Sequence, residues 1–162
     1  MLNEKVIKLL NEQVNKELYS AYLYLDMANF YTNKGLNGFA HWFKLQAKEE
    51  VTHAMMIQEY LQDNDIPVEL EGIAKPHGVF NDDVKAPLVL ALEHEKFVTN
   101  SIHTIYEEAV KFKDYRTMEF LNWFVKEQLE EEKNADDLIT RYELSKNSLL
   151  MLDHFLGKRE EE

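Results

Sequence analysis

The feature that most restricts this chain is the placement of its helix breakers. All three prolines fall between positions 67 and 87, and only 5 glycines are spread over 162 residues. On both sides of that window apolar residues recur every three or four positions, the spacing of one helix face and not of a strand. A first stripe (Ile7, Leu10, Val14, Glu17, Ala21, Tyr24, Ala28, Tyr31) predicts a helix over about 3–33, closed by Gly35 as the residue after the cap. A second (Phe39, Phe43, Gln46, Glu50, His53, Ile57, Tyr60) predicts one over 37–64. A third (Leu88, Ala91, Glu95, Val98, Ile102, Ile105, Ala109) predicts 84–112, with Asp82 or Asp83 as N-cap and Pro87 in the first turn. A fourth (Leu121, Phe124, Gln128, Glu131, Ala135, Leu138, Tyr142) predicts 115–143. Leu149, Leu152, Phe155 and Leu156 predict a short fifth helix over 145–157, before a solvated KREEE end.

Four amphipathic helices of about 28 residues, each about 42 Å long, predict an all-α four-helix bundle, one domain over 1–162. The short first and third links make their helix pairs antiparallel. The aperiodic stretch 65–83 reaches about 60 Å when extended, enough to return along the bundle and leave the second and third helices parallel. Composition narrows the chemistry. With no cysteine, a disulfide scaffold, a thiolate zinc site, a Cys-ligated cluster and a cysteine nucleophile are all excluded, so any metal is held by oxygen and nitrogen. A net charge of −12 repels nucleic acid and anionic lipid and attracts cations. No apolar run approaches the roughly 20 residues of a membrane span, and the N-terminus lacks a signal-peptide core, which points to the cytoplasm.

The polar members of the stripes carry the functional signal. Glu17, Glu50, His53, Glu95, Gln128 and Glu131 sit where side chains point into the bundle. A single Glu on a stripe edge ordinarily reaches solvent, but four helices placing carboxylates in one layer is a different matter. Burying an unpaired carboxylate costs several kcal/mol, so the layer must take up protons or cations. Two divalent ions balance four carboxylates, and so do two trivalent ions with one bridging oxide, a balance suited to redox chemistry. One imidazole among carboxylates is a hard, oxygen-rich donor set that favours Fe or Mn. Glu50-Val51-Thr52-His53 puts carboxylate and imidazole at i and i+3 on one helix face, so both can reach one ion while Glu50 bridges to a second.

Over nearly its whole length the chain resembles the bacterial and archaeal non-haem ferritins, through NEQVNKELYSAYLYL, AKEEVTHAM, LEHEKFVT and FLNWFVKEQLEEEK. The Glu-x-x-His pair is a feature shared with the ferritin-like dinuclear proteins. The resemblance implies a ferroxidase: Fe(II) oxidised to Fe(III) by O2 or H2O2, and ferric mineral stored inside a homo-oligomeric, hollow 24-subunit shell with the fifth helix at its fourfold axes. It implies that Glu17, Glu50 and His53 hold one iron, that Glu50, Glu95 and Glu131 hold the second with Gln128 beside them, and that Glu49, Glu127 and Glu130 form a third site sharing Glu131. Tyr24, two turns after Glu17, becomes a neighbour of the iron pair that donates an electron or hydrogen-bonds a ligand.

Gln128-Leu129-Glu130-Glu131 stands where a symmetric site would carry a second Glu-x-x-His, so the second iron loses a nitrogen ligand and iron reads as a substrate in transit. Thr52 stands near where a bacterioferritin would carry its haem-ligating Met, so no haem is expected, and Met55 and Met56 read as packing residues. Trp123 reads as core. His41, His77, His94, His103 and His154 join no constellation. Two other readings share the residue set: a dinuclear oxidase or peroxidase acting on another substrate, and an idle storage subunit.

Overall fold

The structure, a computed structural model, describes residues 2–76 and 78–161. His77 lies outside the described residues. Five helices appear in chain order: α1 (Glu4–Asn33), α2 (Asn37–Asp63), α3 (Ala86–Lys111), α4 (Tyr115–Leu144) and α5 (Leu149–Leu156). There is no strand among the described residues. The predicted all-α bundle is what forms, and the first four helices match their predicted spans to within two residues at each end.

The ends of the helices follow local chemistry. Asn3 caps α1 by accepting from the Lys5 amide at 2.9 Å, and Asp114 caps α4 by accepting from Thr117 at 3.1 Å. After α1, Gly35 takes φ +75° while its amide and that of Leu36 return to the Thr32 and Tyr31 carbonyls, a Schellman closure that only a residue without Cβ adopts freely. Asp82 and Asp83 do not cap α3. Its N-cap is Lys85, and Asp83 instead closes a turn by accepting from the Lys85 amide at 2.9 Å. The fifth helix is shorter than predicted because residues 145–148 form turns first.

Cross-helix contacts fix the topology. Gln13 meets Ser101 and Tyr31 meets Val84, so α1 and α3 are antiparallel; Gln46 meets Glu131 and Tyr60 meets Thr117, so α2 and α4 are too. With α1 and α2 joined by residues 34–36, α2 and α3 must run parallel, as predicted. Residues 64–85 make the return. Asn11 and Asn15 clamp this segment by exchanging hydrogen bonds of 2.8–3.1 Å with the backbone of Glu69 and Glu71. Farther along, Phe80 stacks edge-on against Phe30 and Asp82 pairs with Lys34. The crossover therefore lies along α1 and hides backbone groups that would otherwise need water.

The interior divides into two apolar clusters. One is rich in rings, with Tyr24, Tyr31, Phe39 and Phe43 packed against Leu88, Leu138, Leu152 and Leu156. The other is largely aliphatic, with Val14, Leu10, Ile57, Leu61, Val98, Ile102 and Leu121 around Phe124. Between them the same stripes carry the polar layer. Two expectations fail at the surface. Trp123 is 40% exposed although its ring packs edge-on against His53 and Phe124, and Met55 is 60% exposed, while Met56 does pack against the aliphatic cluster. The KREEE end is not wholly solvated either, because Arg159 folds back onto α2.

Candidate metal centre

Each of the four long helices contributes a carboxylate at a core position: Glu17, Glu50, Glu95 and Glu131 are all at most 4% exposed, as are Gln128 and His53. The helices that put Val14 and Ala21, or Ala47 and Ala54, in the core must bury the residues between them, so the carboxylates are inside by periodicity. Among the described residues no lysine or arginine forms an ion pair with these four carboxylates.

Two groups have donor atoms gathered within 4.8 Å of one another: Glu17, Glu50 and His53, and then His53, Glu127 and Glu131. In the first, His53 Nδ1 lies 3.5 Å from Glu50 Oε2. Gln13 Nε2 donates to Glu17 Oε1 at 2.8 Å, whereas Glu17 Oε2 is buried without a hydrogen-bond partner. An orphaned buried carboxylate oxygen is costly unless a cation or proton serves it. In the second half the carboxylates are better supplied. Tyr24 donates its hydroxyl to Glu95, Gln128 Nε2 donates to Glu95 Oε2 at 3.1 Å, and Gln46 Nε2 donates to Glu131 Oε2 at 2.6 Å.

Electrostatics follow from that burial. Desolvation, reinforced by the neighbouring carboxylates, pushes Glu50 and Glu131 well above the usual carboxylate range. Burial also raises Glu95, to about 7, with the Tyr24 and Gln128 hydrogen bonds pulling the other way. Glu17 is raised by burial, with the neighbouring Glu50 carboxyl and the Gln13 amide pulling the other way. Desolvation lowers His53 to about 4, so at neutral pH its imidazole is uncharged and one of its two nitrogens is available as a ligand. Tyr24 is driven well above its ordinary value, first by burial and then by the charges of Glu95, Glu50 and Glu131. The layer is thus a set of acids holding protons that a pair of cations can replace.

The residues expected from sequence fall into three situations. Glu17, Glu50, His53, Glu95 and Glu131 come together, with Tyr24 at their edge. Gln128 approaches through its amide nitrogen, which donates to Glu95 and cannot bind a metal, so here it orients a ligand. The third group is dispersed: Glu127 Oε1 lies 3.9 Å from His53 Nε2, Glu49 is gripped by Arg159 at 2.7 and 2.8 Å, and Glu130 is exposed at the rim of a cavity of about 400 Å³. Four supporting residues escape a motif search. Gln13 and Gln46 orient Glu17 and Glu131, and each sits four residues before a carboxylate of the layer on its own stripe, which is the available clue. His94 is buried against Tyr24 with Nε2 2.7 Å from Ser20 Oγ; since that hydroxyl already donates to the Lys16 carbonyl, the ring nitrogen carries the proton. Arg159 is remote in sequence and gives no signal.

Comparison with known proteins agrees with this geometry. The family model for a ferritin-like domain matches residues 7–145. A bacterial non-heme ferritin of Campylobacter jejuni is 37% identical over 159 residues, covering 96% of this chain and 95% of the relative. One from Staphylococcus aureus is 33% identical over 162 residues, covering 98% and 97%. Among solved structures, an open-pore ferritin from the hyperthermophilic archaeon Archaeoglobus fulgidus superposes with a TM-score of 0.95 at 39% identity, covering 98% of each chain. A closed form engineered from the A. fulgidus ferritin gives 0.95 at 38% identity and 99% coverage of both. The sequence match, the shared backbone and the buried carboxylate layer lead to one conclusion: this chain belongs to the ferritin family.

Proposed function

We propose that this protein stores iron and is a ferroxidase that oxidises Fe(II) at the carboxylate layer, with Fe(III) passing on to a mineral store. The observation that carries this reading is the convergence of four buried carboxylates and one neutral imidazole from four helices, with an orphaned oxygen on Glu17. Iron enters here as substrate. Glu17, Glu50 and His53 take one Fe(II); Glu50, Glu95 and Glu131 take the second, and Glu127 stands next to both His53 and Glu131. Two Fe(II) give one electron each to O2, which with two protons leaves as H2O2, or to H2O2, which with two protons leaves as two waters. Holding the pair in place replaces a collision of three reactants by one bound geometry.

The chain's own groups supply the rest. Glu50 and Glu131 release their protons as iron arrives, which keeps the filled layer close to neutral. Tyr24 keeps Glu95 aimed through its hydroxyl and lies close enough to serve as an electron donor. The ring-rich cluster and the aliphatic cluster close the layer above and below, excluding bulk water. A shell of many copies suits the apolar residues left outside: Leu144, Leu150 and Met151 are 73–84% exposed around α5, more than a lone subunit gains from.

The test is aerobic addition of excess Fe(II) to metal-free protein, followed by size-exclusion chromatography with iron and protein detected together. The expected result is many irons per chain on a very large particle, with oxygen consumed. About two irons per chain on a small oligomer would replace storage by a dinuclear oxidase, and no oxygen uptake would leave an idle subunit.

A further inference from the structure

The C-terminal segment reaches the metal layer. Gly38 packs against the Asp153 carbonyl with no space for a Cβ, and Asp153 Oδ1 accepts from the Phe39 amide at 3.0 Å, so α5 is pinned to the start of α2. Beyond Gly157 the chain turns back over α2, where His41 Nε2 donates to the Arg159 carbonyl at 2.8 Å. The Arg159 guanidinium lies 4.4 Å from the Trp42 ring centroid. One of its nitrogens donates to both Glu49 oxygens at 2.8 and 2.7 Å, and the other to Gln46 Oε1 at 3.0 Å. Its side chain is only 16% exposed.

Two consequences follow from this grip. Both Glu49 oxygens face a fixed positive charge, so a metal ion approaching Glu49 meets repulsion and a carboxylate already engaged. Since Gln46 Oε1 accepts from Arg159, its Nε2 must face the other way, toward Glu131 at 2.6 Å. The tail therefore blocks Glu49 and, through Gln46, aims a ligand of the dinuclear pair. Beside this contact lies the cavity of about 400 Å³ between Trp42, Glu130 and α5, open to solvent and wide enough to receive a displaced side chain.

We propose that Arg159 is a resident cation on the Glu49 carboxylate, which a third metal ion must displace in order to bind beside the dinuclear pair. The proposal rests on the dinuclear reading above and on the third position, of Glu49, Glu127, Glu130 and Glu131, that the resemblance implies. In it the guanidinium holds the third position shut while the pair fills, and its departure into the cavity opens that position on the side leading away from the layer.

Zn(II), which has no redox chemistry here, is titrated calorimetrically into metal-free wild-type protein, Arg159→Gln, Arg159→Lys, Glu49→Gln and the Glu49→Gln/Arg159→Gln double variant. The wild type is expected to bind two ions tightly and a third weakly. In Arg159→Gln the third ion tightens by about tenfold or more, the first ion, held by Glu17, Glu50 and His53, changes little, and the second loosens by less than about tenfold because Gln46 loses the partner that fixes its amide toward Glu131; Arg159→Lys, a charge without the fork, falls between. Glu49→Gln loses the third ion, and adding Arg159→Gln to it restores nothing. In a Trp123→Phe background Trp42 is the remaining tryptophan, and its emission is expected to change only with the third equivalent of Zn(II), and not at all once Arg159 is Gln. A third ion that is no tighter in Arg159→Gln, or absent from both proteins, overturns the role of the tail and leaves the dinuclear reading standing. A wild type that fails to bind the first two ions overturns the dinuclear reading and this proposal with it.

Discussion

The two halves of the carboxylate layer are built on different terms. In the half made by α1 and α2, Glu17, Glu50 and His53 face one another with few donors between them, and one Glu17 oxygen has no partner. In the half made by α3 and α4, Glu95 and Glu131 are furnished with hydrogen bonds from Tyr24, Gln128 and Gln46, and there is no imidazole of their own. The first half is a ligand set waiting for a cation. The second is already satisfied in part without one, so its ion gains less on binding. Under the ferroxidase reading proposed above, that difference fits a substrate that must leave: a firm position to capture Fe(II) and a weaker one to let Fe(III) move on.

The comparison breaks most visibly at Glu50, the carboxylate that the proposed reading shares between both positions. Glu50→Ala is expected to slow the initial Fe(II) oxidation by at least about a hundredfold, since the loss of a first ligand exceeds the 10- to 100-fold cost of disturbing a ligand's support. The fold survives, because a buried acid pushed well above its ordinary range is removed from a repelling cluster. Stopped-flow oxidation together with helix content by circular dichroism checks both. Wild-type rates in a folded variant would remove Glu50 from the mechanism.

A sharper version sets His53→Ala against Gln128→Ala. The first deletes the imidazole of the firm half, the second a donor to Glu95 in the weaker half. His53→Ala is expected to abolish tight binding of the first ion, whereas Gln128→Ala weakens the second by about tenfold and spares the first. Anaerobic Fe(II) calorimetry reads the two events. Equal losses from both variants would show that the halves are not distinct.

Tyr24→Phe acts between the halves and has a smaller effect. It deletes the hydroxyl that donates to Glu95 and lets that carboxyl rise above its present value near 7. Metal-free stability is expected to fall by about 1–3 kcal/mol, the cost of leaving a buried acceptor unserved, and oxidation to slow by less than in Glu50→Ala. Chemical denaturation and stopped-flow kinetics on one preparation test this. A Tyr24→Phe variant oxidising more slowly than Glu50→Ala would make the tyrosine a principal redox participant instead of a ligand support.

How much of this was legible in the sequence depends on how local each feature is. The four long helices, the parallel α2 and α3 and the buried acids follow from period and proline placement, which act within a few residues. Asp83 at α3, by contrast, competes between two local roles, and the turn formed with the Lys85 amide wins over the cap. Trp123 shares a helix with Phe124 but lies at the edge of the stripe, half exposed with its ring against His53, because adjacent residues on a helix lie about 100° apart and only one of the pair joins the stripe. The least legible residue is Arg159. Its contact with Glu49 exists only because Gly38 and Asp153 seat α5 on α2, a long-range event to which no spacing in the sequence points.

The smallest expected effect concerns pH and separates the halves by slope. In the metal-free protein His53 and His94, both lowered to about 4 by burial, are neutral when folded but take up protons when unfolded below about 6.5. Their contribution is lost on acidification and is constant above that pH. Glu131 and Glu50, held well above the carboxylate range, and Glu95 near 7 bind protons when folded that the unfolded chain has released. Their contribution falls as pH rises, by at most about 1.4 kcal/mol per pH unit for each proton. Between pH 4.5 and 6.5 the two families oppose each other, and from 6.5 to 8 only the carboxylates act. Unfolding stability in the presence of a chelator should therefore decline across pH 6.5–8. Glu131→Gln should flatten that decline more than Glu17→Gln, because Glu131 is held well above the carboxylate range while Glu17 is raised less. Loading with Zn(II) should abolish the decline in the wild type, since the ion takes the place of the protons. A metal-free stability that stays level or climbs over this range would mean that the layer is already ionised when empty, and the uncompensated charge would then have to be balanced by cations held without help from lysine or arginine.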